Sequence, residues 1–255
     1  MLKKLLLGII LLSAVIAVAG FILWPAKDVA VVNGSLPTPT PTPRATPTPT
    51  SSPTPTPATN STKFVLHDVP FAPQAPFGEW SDQRQQDGCE EASALMAVRW
   101  AQGRSLSYQE ARAEIINASD YQLEKYGEYR DVSTRDTISR IFNDYFDFYN
   151  VRLEEHAGID DIKQELLKGN IIVVHADGRL LNNPNFTGEG PEYHALVIKG
   201  FDDNKGEFIT NDPGTKNGES YRYKYDVLEN ALADYPTGFH IPRLQINKNM
   251  IVVSK

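Results

Sequence analysis

The hydrophobic pattern of the first residues differs sharply from that of the rest of the chain. Lys3 and Lys4 precede an almost purely apolar run from Leu5 to Trp24. About 20 apolar residues suffice for a helix to cross a bilayer, and basic residues on the N-terminal flank keep that flank in the cytoplasm. We therefore predict a transmembrane anchor over residues 1–25, with the rest of the chain outside the cytoplasm.

The alternative for this segment is a cleaved signal peptide, because the small residues of Ala17–Gly20 offer a cleavage point. The apolar run is longer than most signal peptides need, which favours the uncleaved anchor. The anchor predicts a single-pass protein of the cell membrane with an extracytoplasmic C-terminal domain. Cleavage would make the domain a secreted protein.

Residues 26–62 are predicted to be a disordered stalk. From Gly34 to Thr62 almost every residue is Pro, Thr, Ser or Ala. Such a segment has no apolar face to bury, and proline-rich linkers are extended at about 3.1 Å per residue. The remaining residues, 63–255, form one domain by length.

In the first half of this domain, apolar residues recur at helical spacing. An extended segment, Lys63–Gln74, comes first. Four predicted helices follow: from Glu90 to Gly103, from Ser107 to Asn117, from Ser133 or Thr134 through Tyr145, and between Gly158 and Gly169.

In the second half the pattern changes to short apolar runs typical of strands. Asn170–Ala176 is a continuous apolar run, and Tyr193–Phe201 and Gly206–Asp212 flank a turn as a hairpin does. A strand over 219–225, a helix over 226–234 and a last strand over 250–255 complete the pattern. We predict an α+β fold with N-terminal helices and a C-terminal antiparallel sheet.

The charge of the domain excludes some partners. Of the 25 Lys and Arg residues four precede residue 63, and of the 32 Asp and Glu residues one does. The domain therefore has 21 basic and 31 acidic residues, a formal charge of −10, which argues against nucleic acid and against an anionic membrane surface. No Cys/His set has zinc spacing, so we expect neither metal nor cofactor, and we expect a monomer.

Cys89 is the only cysteine of the chain, in "DQRQQDGCEEASALMA". An unpaired thiol in an exported domain is open to oxidation, so it calls for a reason. It is either a small core residue or a nucleophile. A nucleophile is favoured by its place at the predicted start of a helix, where the helix dipole lowers a thiol pKa. Gly88 would let the backbone turn tightly into that helix.

A thiol nucleophile needs a base, and five histidines are available. Three of them read as surface or loop residues: His67, His156 and His240. His175 ends a buried strand, which indicates a structural role. His194 opens the hairpin strand beside a glycine-containing loop, where it can face a cleft, and is the candidate base.

The orienting residue and the oxyanion donor complete the set. Asp212 ends the neighbouring strand, where its carboxylate can accept a hydrogen bond from Nδ1 of His194, although "NDPGT" is also typical of a plain turn. Gln83, six residues before Cys89, is the candidate oxyanion donor. Gln85 and Gln86 remain alternatives.

These three pieces, "DQRQQDGCEEASALMA", "EYHALVIKGFDD" and "FITNDPGT", resemble the C39-like cysteine peptidases of papain fold. The resemblance implies a papain-like α+β fold, a triad of Cys89, His194 and Asp212, and Gln83 as the oxyanion glutamine. It implies hydrolysis of a peptide or protein substrate. Many members have glycine directly after the cysteine, where this chain has Glu90.

Two other functions remain open at this stage. The domain can be a surface binding or adhesion module that has lost catalysis, or a hydrolase of peptidoglycan peptides. Family members fused to transporters cut leader peptides in the cytoplasm. This chain has no ATP-binding motif and a domain predicted to lie outside, so that role does not transfer.

Overall fold

The computed structural model describes residues 63–255. The anchor predicted at 1–25 and the stalk predicted at 26–62 lie outside the described residues. Between residues 63 and 255, no helix combines the length and the apolar character that a membrane span requires.

The described residues contain one antiparallel sheet of seven strands, which confirms the predicted α+β class. Six strands follow the order β2-β7-β3-β4-β5-β6, and β1 pairs with the C-terminal part of β4, with Phe64 opposite Asp202. The strands are β1 Phe64–Leu66, β2 Val151–Glu154, β3 Ile171–Ala176, β4 His194–Asp202, β5 Glu207–Asn211, β6 Tyr221–Lys224 and β7 Met250–Val253.

The predicted hairpin is confirmed, because β4 and β5 pair with Asp202 opposite Glu207 and Val197 opposite Asn211. Every residue of β3 and β4 is buried. The sequence of a strand that is covered on both faces is a continuous apolar run, and β3 was predicted from such a run.

Helices cover both faces of the sheet. They are α1 Gln83–Gln86, α2 Cys89–Ala101, α3 Tyr108–Tyr126, α4 Thr134–Asp136, α5 Ile159–Leu167 and α6 Tyr225–Ala231. Met96 and Val98 of α2 share one apolar cluster with Val173 and Val197. The alternate residues of β3 and β4, with side chains on the other face, pack with residues of α5 and α6. The central strands β3 and β4 are thus covered by helices on both faces.

Several elements differ from the prediction, which also lacked α1 and a short 3-10 helix at Gly178–Leu181. Helix α3 continues past Asn117 to Tyr126 and ends at Gly127, whose φ of +80° suits glycine. The segment Thr137–Tyr145 after α4 is a wider π-helix, in which the N–H of Phe146 donates to the carbonyl of Ile141. The strand β2 was not predicted. Its residues are only partly buried, so their hydrophobic pattern is weak.

Candidate active site

Cys89 is the first residue of α2, as the sequence predicts, and is 6% exposed. Its backbone N–H has no acceptor within the helix, because the first turn has no preceding turn. The preceding Gly88 is needed for space rather than for an unusual φ. A Cβ there would lie 2.5 Å from the carbonyl oxygen of Arg84 and 2.8 Å from Cγ2 of Ile115.

His194 and Asp212 form a buried pair, with Nε2 of His194 2.8 Å from Oδ1 of Asp212. The expected contact through Nδ1 is therefore wrong, because the ring presents its other nitrogen to the carboxylate. His194 begins β4, and Asp212 directly follows β5. The hairpin register brings these ends of the strands together, and Nδ1 of His194 is left free of Asp212.

Several donors hold the Asp212 carboxylate in place. The hydroxyl of Tyr223 donates to Oδ2 at 2.5 Å, and the backbone N–H of Gly214 donates to Oδ1 at 3.0 Å. Burial raises the pKa of Asp212, but the charge and hydrogen bond of His194, with the bonds from Tyr223 and Gly214, lower it more. The net pKa lies below the ordinary aspartate value, so the carboxylate is ionised.

The imidazole of His194 has little free space. The ring of Phe186 meets it edge-on, with centroids 5.3 Å apart. A Cβ on Gly214 would lie 2.9 Å from Cε1 of His194 and 2.9 Å from Cε1 of Phe186. Residue 214 must therefore be glycine for the ring to keep this position.

A cavity of about 600 Å³ is bordered by both Cys89 and His194. Its aromatic wall residues are Trp80, Phe186, Tyr193 and His240, and its acidic ones are Asp87, Asp131 and Glu192. Among residues 63–255, no Lys or Arg side chain borders it. The cavity thus joins the thiol and the imidazole in one cleft with three carboxyl groups on its walls.

The thiol of Cys89 bonds to its neighbour in sequence. Sγ donates to Oε2 of Glu90 at 2.9 Å, which is its one side-chain hydrogen bond among the described residues. Burial raises the pKa of Cys89, and the charge and hydrogen bond of Glu90 raise it further, whereas the backbone N–H of Ala195 lowers it. The net pKa of the thiol thus lies above the ordinary cysteine value, opposite to the direction expected from the helix start alone.

The predicted oxyanion residue, Gln83, is exposed and does not border the cavity. Gln85 is buried and its Nε2 faces Glu79 at 3.4 Å. Of the three glutamines considered, only Gln86 borders the cavity. The structure therefore does not bring Gln83 to the thiol.

Gln74 is a glutamine that the sequence analysis missed. It is 5% exposed, borders the cavity and donates from Nε2 to the carbonyls of Gln85 and Gln86 at 3.1 and 2.8 Å. Its backbone N–H donates to the carbonyl of Pro213, next to Asp212. A polar residue in "VPFAPQAP", an otherwise apolar stretch, was the available signal.

The remaining histidines are placed as follows. His175 is buried against Thr134 and Asp234 and is stacked on Tyr235, which confirms its structural role. His67 bonds to the carbonyl of Leu166, and His156 is exposed, as predicted. His240, predicted as a surface or loop residue, borders the cavity.

Comparison with known proteins assigns the family. The model of the Peptidase_C39 like family matches residues 66–237, a span that includes Cys89, His194 and Asp212. The chain belongs to the Peptidase_C39 like family. The family expected from the sequence is therefore confirmed. The family and the fold of this C39-like domain support a function of the cysteine peptidase type.

Solved structures also resemble this C39-like domain. A protein described as a candidate C39-like peptidase from Bacillus anthracis has 14% identity and a TM-score of 0.50, and the match covers 76% of this chain and 98% of that one. Xylellain, a cysteine protease from Xylella fastidiosa, has 12% identity and a TM-score of 0.44, covering 76% and 86%. No curated protein matches the chain.

Proposed function

We propose that the C39-like domain hydrolyses peptide or amide bonds with a triad of Cys89, His194 and Asp212. The observation that carries this proposal is the buried bond of 2.8 Å between His194 and Asp212, at the cavity that Cys89 also borders. A carboxylate on one ring nitrogen fixes the tautomer and leaves the other nitrogen to take a proton. A purely structural histidine does not need to border a cleft beside a thiol.

The chemistry runs through named atoms. Nδ1 of His194 takes the proton of the Cys89 thiol, and the thiolate attacks the substrate carbonyl carbon. The resulting imidazolium, supported by the Asp212 carboxylate, gives its proton to the leaving amine. Water then hydrolyses the thioester with His194 as base, which restores the thiol.

The oxyanion is stabilised by two N–H donors in this proposal. One is the backbone N–H of Cys89. The other is Nε2 of Gln74, which takes the role first expected of Gln83. One N–H of Gln74 can serve the carbonyls of Gln85 and Gln86 together as a bifurcated donor, which leaves the second N–H for the oxyanion.

The location of the reaction is a further part of the proposal. The apolar run of Leu5–Trp24 and the basic residues before it support a membrane anchor with the domain on the extracytoplasmic side. The substrate is then an extracytoplasmic peptide or protein. A cleft bordered by Asp87, Asp131 and Glu192, and by no lysine or arginine of the described residues, supports substrates that are not strongly acidic.

The test uses the full-length chain in mild detergent and a broad peptide library. Wild type should cleave members of the library, and Cys89→Ala should abolish cleavage. His194→Ala should reduce the rate by at least about 100-fold, the usual contribution of a general base. The matched control is His240→Ala, which removes an imidazole from the same cavity wall and should retain most activity. Equal cleavage by wild type and Cys89→Ala would refute the proposal.

A second candidate is a binding module that has lost catalysis. It is favoured by one observation, that Sγ of Cys89 bonds to Glu90 rather than to His194. Iodoacetamide separates the two functions. A working triad gives alkylation of the folded protein that slows further in His194→Ala, even where the resting wild-type rate is low, whereas a binding module gives a thiol that reacts only after denaturation. A peptidoglycan hydrolase would be identified by adding purified peptidoglycan as substrate.

A further inference from the structure

Glu90 is a buried carboxylate in contact with the thiol. It is 1% exposed, and Oε2 receives the S–H of Cys89 at 2.9 Å. Its other oxygen, Oε1, accepts the backbone N–H of Val132 and the hydroxyl of Tyr235, both at 2.9 Å. The N–H of Val132 can only donate, and an acceptor-only carboxylate anion satisfies it together with the thiol and the phenol.

This anion has no cation beside it. Among the described residues, Glu90 forms no ion pair with Lys, Arg or His. A thiolate formed in place would have a like charge at hydrogen-bonding distance in a buried setting, which disfavours ionisation of the thiol. While Sγ donates to Glu90, its proton is also not directed at His194.

We propose that Glu90 is a positioning residue that keeps the Cys89 thiol protonated in the free protein, so that the nucleophile forms only when Sγ exchanges Glu90 for Nδ1 of His194. The proton then moves from Sγ to His194, and Glu90 remains a carboxylate. This exchange takes place when substrate enters the cleft. The resting thiol is thereby protected from oxidants, which react with thiolates.

Other titratable groups lie near the thiol, and their effects on its ionisation must be distinguished from that of Glu90. Within α2 the next carboxylate, Glu91, is fully buried and bonds to Gln122 and Ser119. Tyr235, after α6, contacts Glu90 itself. The titratable groups of other elements that border the cavity together with the thiol are Asp87, Asp131, Glu192, Tyr193, His194 and His240.

The test is the pH profile of iodoacetamide alkylation for the full-length chain and for Glu90→Gln. Glutamine keeps the shape and can still accept from Val132 and Tyr235, while its Nε2 can donate to a thiolate. Lowering the thiol pKa by one unit raises the thiolate fraction about tenfold below the pKa and lowers its intrinsic reactivity about threefold. We expect alkylation near neutral pH to be at least about threefold faster, with the profile shifted to lower pH.

The matched control is Glu91→Gln, which replaces the adjacent buried carboxyl group without touching Sγ. It should shift the profile much less than Glu90→Gln. An unchanged profile in Glu90→Gln, or slower alkylation with the same midpoint, would overturn the proposal and make Glu90 structural or a base.

A measurement on the wild type covers the case in which Glu90→Gln does not fold. Cys89 is the only cysteine, so the S–H stretching band in the infrared spectrum reports on it alone. The band should be present at neutral pH at the lowered frequency of a thiol that donates to a carboxylate. Its absence, or the frequency of a free thiol, would contradict the proposal.

This inference rests on the proposed triad, but the two fail differently. If the proposed hydrolysis is wrong, no peptide is cleaved although Glu90→Gln still shifts the alkylation profile. If the role of Glu90 is wrong, the profile stays in place although wild type cleaves peptides.

Discussion

The hydroxyl of Tyr223 donates to Oδ2 of Asp212 at 2.5 Å, while His194 bonds to the other oxygen of the same carboxylate. Tyr223 is itself fixed by Asn183, whose amide donates to the phenol oxygen at 2.7 Å. Asp212 is thus held between the imidazole of His194 and a second, buried polar network formed by Tyr223 and Asn183. The orientation of His194 therefore depends on a residue that does not border the cavity.

Tyr223→Phe should reduce hydrolysis while the protein stays folded. The substitution leaves Oδ2 with only the Asn183 amide at 3.5 Å, so the pKa of Asp212 should rise and His194 should be oriented less firmly. A charged hydrogen bond of this kind contributes about 1.5–3 kcal/mol, and we expect a roughly tenfold loss in kcat with little change in KM. The control is Tyr221→Phe, whose ring packs against Tyr223. Equal losses in both variants would show that packing, not the hydrogen bond, matters.

Gly214→Ala should displace the imidazole. The new Cβ would lie 2.9 Å from Cε1 of His194, closer than side chains normally approach. We expect hydrolysis to fall by at least about tenfold, because small misplacements of reacting groups are costly, and His194-dependent alkylation to fall with it. Gly158→Ala, at a glycine with no neighbour closer than 3.6 Å, is the control and should retain activity.

Gln74→Ala should separate the oxyanion role from activation of the thiol. Loss of one oxyanion donor lowers kcat by roughly 100- to 1,000-fold. Alkylation by iodoacetamide forms no oxyanion, so its rate should change little. Gln83→Ala, at an exposed position, should leave both rates near wild type. A large loss of hydrolysis in Gln83→Ala and none in Gln74→Ala would restore the expectation drawn from the sequence.

Asp131 should make stability depend on pH. It is 8% exposed, and burial, together with the charge of Glu90, raises its pKa to about 6 despite the N–H of His240. The folded protein therefore binds a proton more tightly than the unfolded chain does. Its contribution to stability is present below pH 4 and is lost as pH rises from about 4 to 6, by at most about 3 kcal/mol.

Denaturant unfolding at pH 4 and pH 7 measures this contribution. Asp131→Asn should be more stable than wild type at pH 7, with a smaller difference at pH 4. Asp68→Asn, at an exposed residue outside the helices, should unfold as wild type does at both values. If the free energy of unfolding differs between Asp131→Asn and wild type by the same amount at pH 4 and pH 7, Asp131 is not the responsible group.

Local pattern predicted the elements that carry the proposed triad. The start of α2 follows from its apolar spacing, and the hairpin follows from two apolar strands and a polar turn. Together these fix where Cys89, His194 and Asp212 lie along the chain. The pairing of β4 with β5 then brings His194 to Asp212, because register follows from a short turn.

The parts that sequence reasoning missed depend on contacts between distant segments. The side-chain amide of Asn211 donates to the carbonyls of Val69 and Pro70, which fixes the segment that brings Gln74 to the cavity. A hydrogen bond between segments this far apart cannot be predicted from a local sequence pattern. Glu90 meets Tyr235, 145 positions later. Proximity to the cysteine in sequence favoured Gln83, although a short helical turn leaves its side chain in solvent.

The pairing of β1 with β4 has a consequence for access to the cleft. His194 begins β4, whereas Lys63 meets the chain just beyond its other end, through the bond from the N–H of Asp203. Eight residues of strand separate His194 from Asp202, about 26 Å at the usual rise. Lys63, the first described residue, thus lies at the end of β4 remote from His194, and residues 63–66 leave the border of the cleft entirely to later segments of the domain.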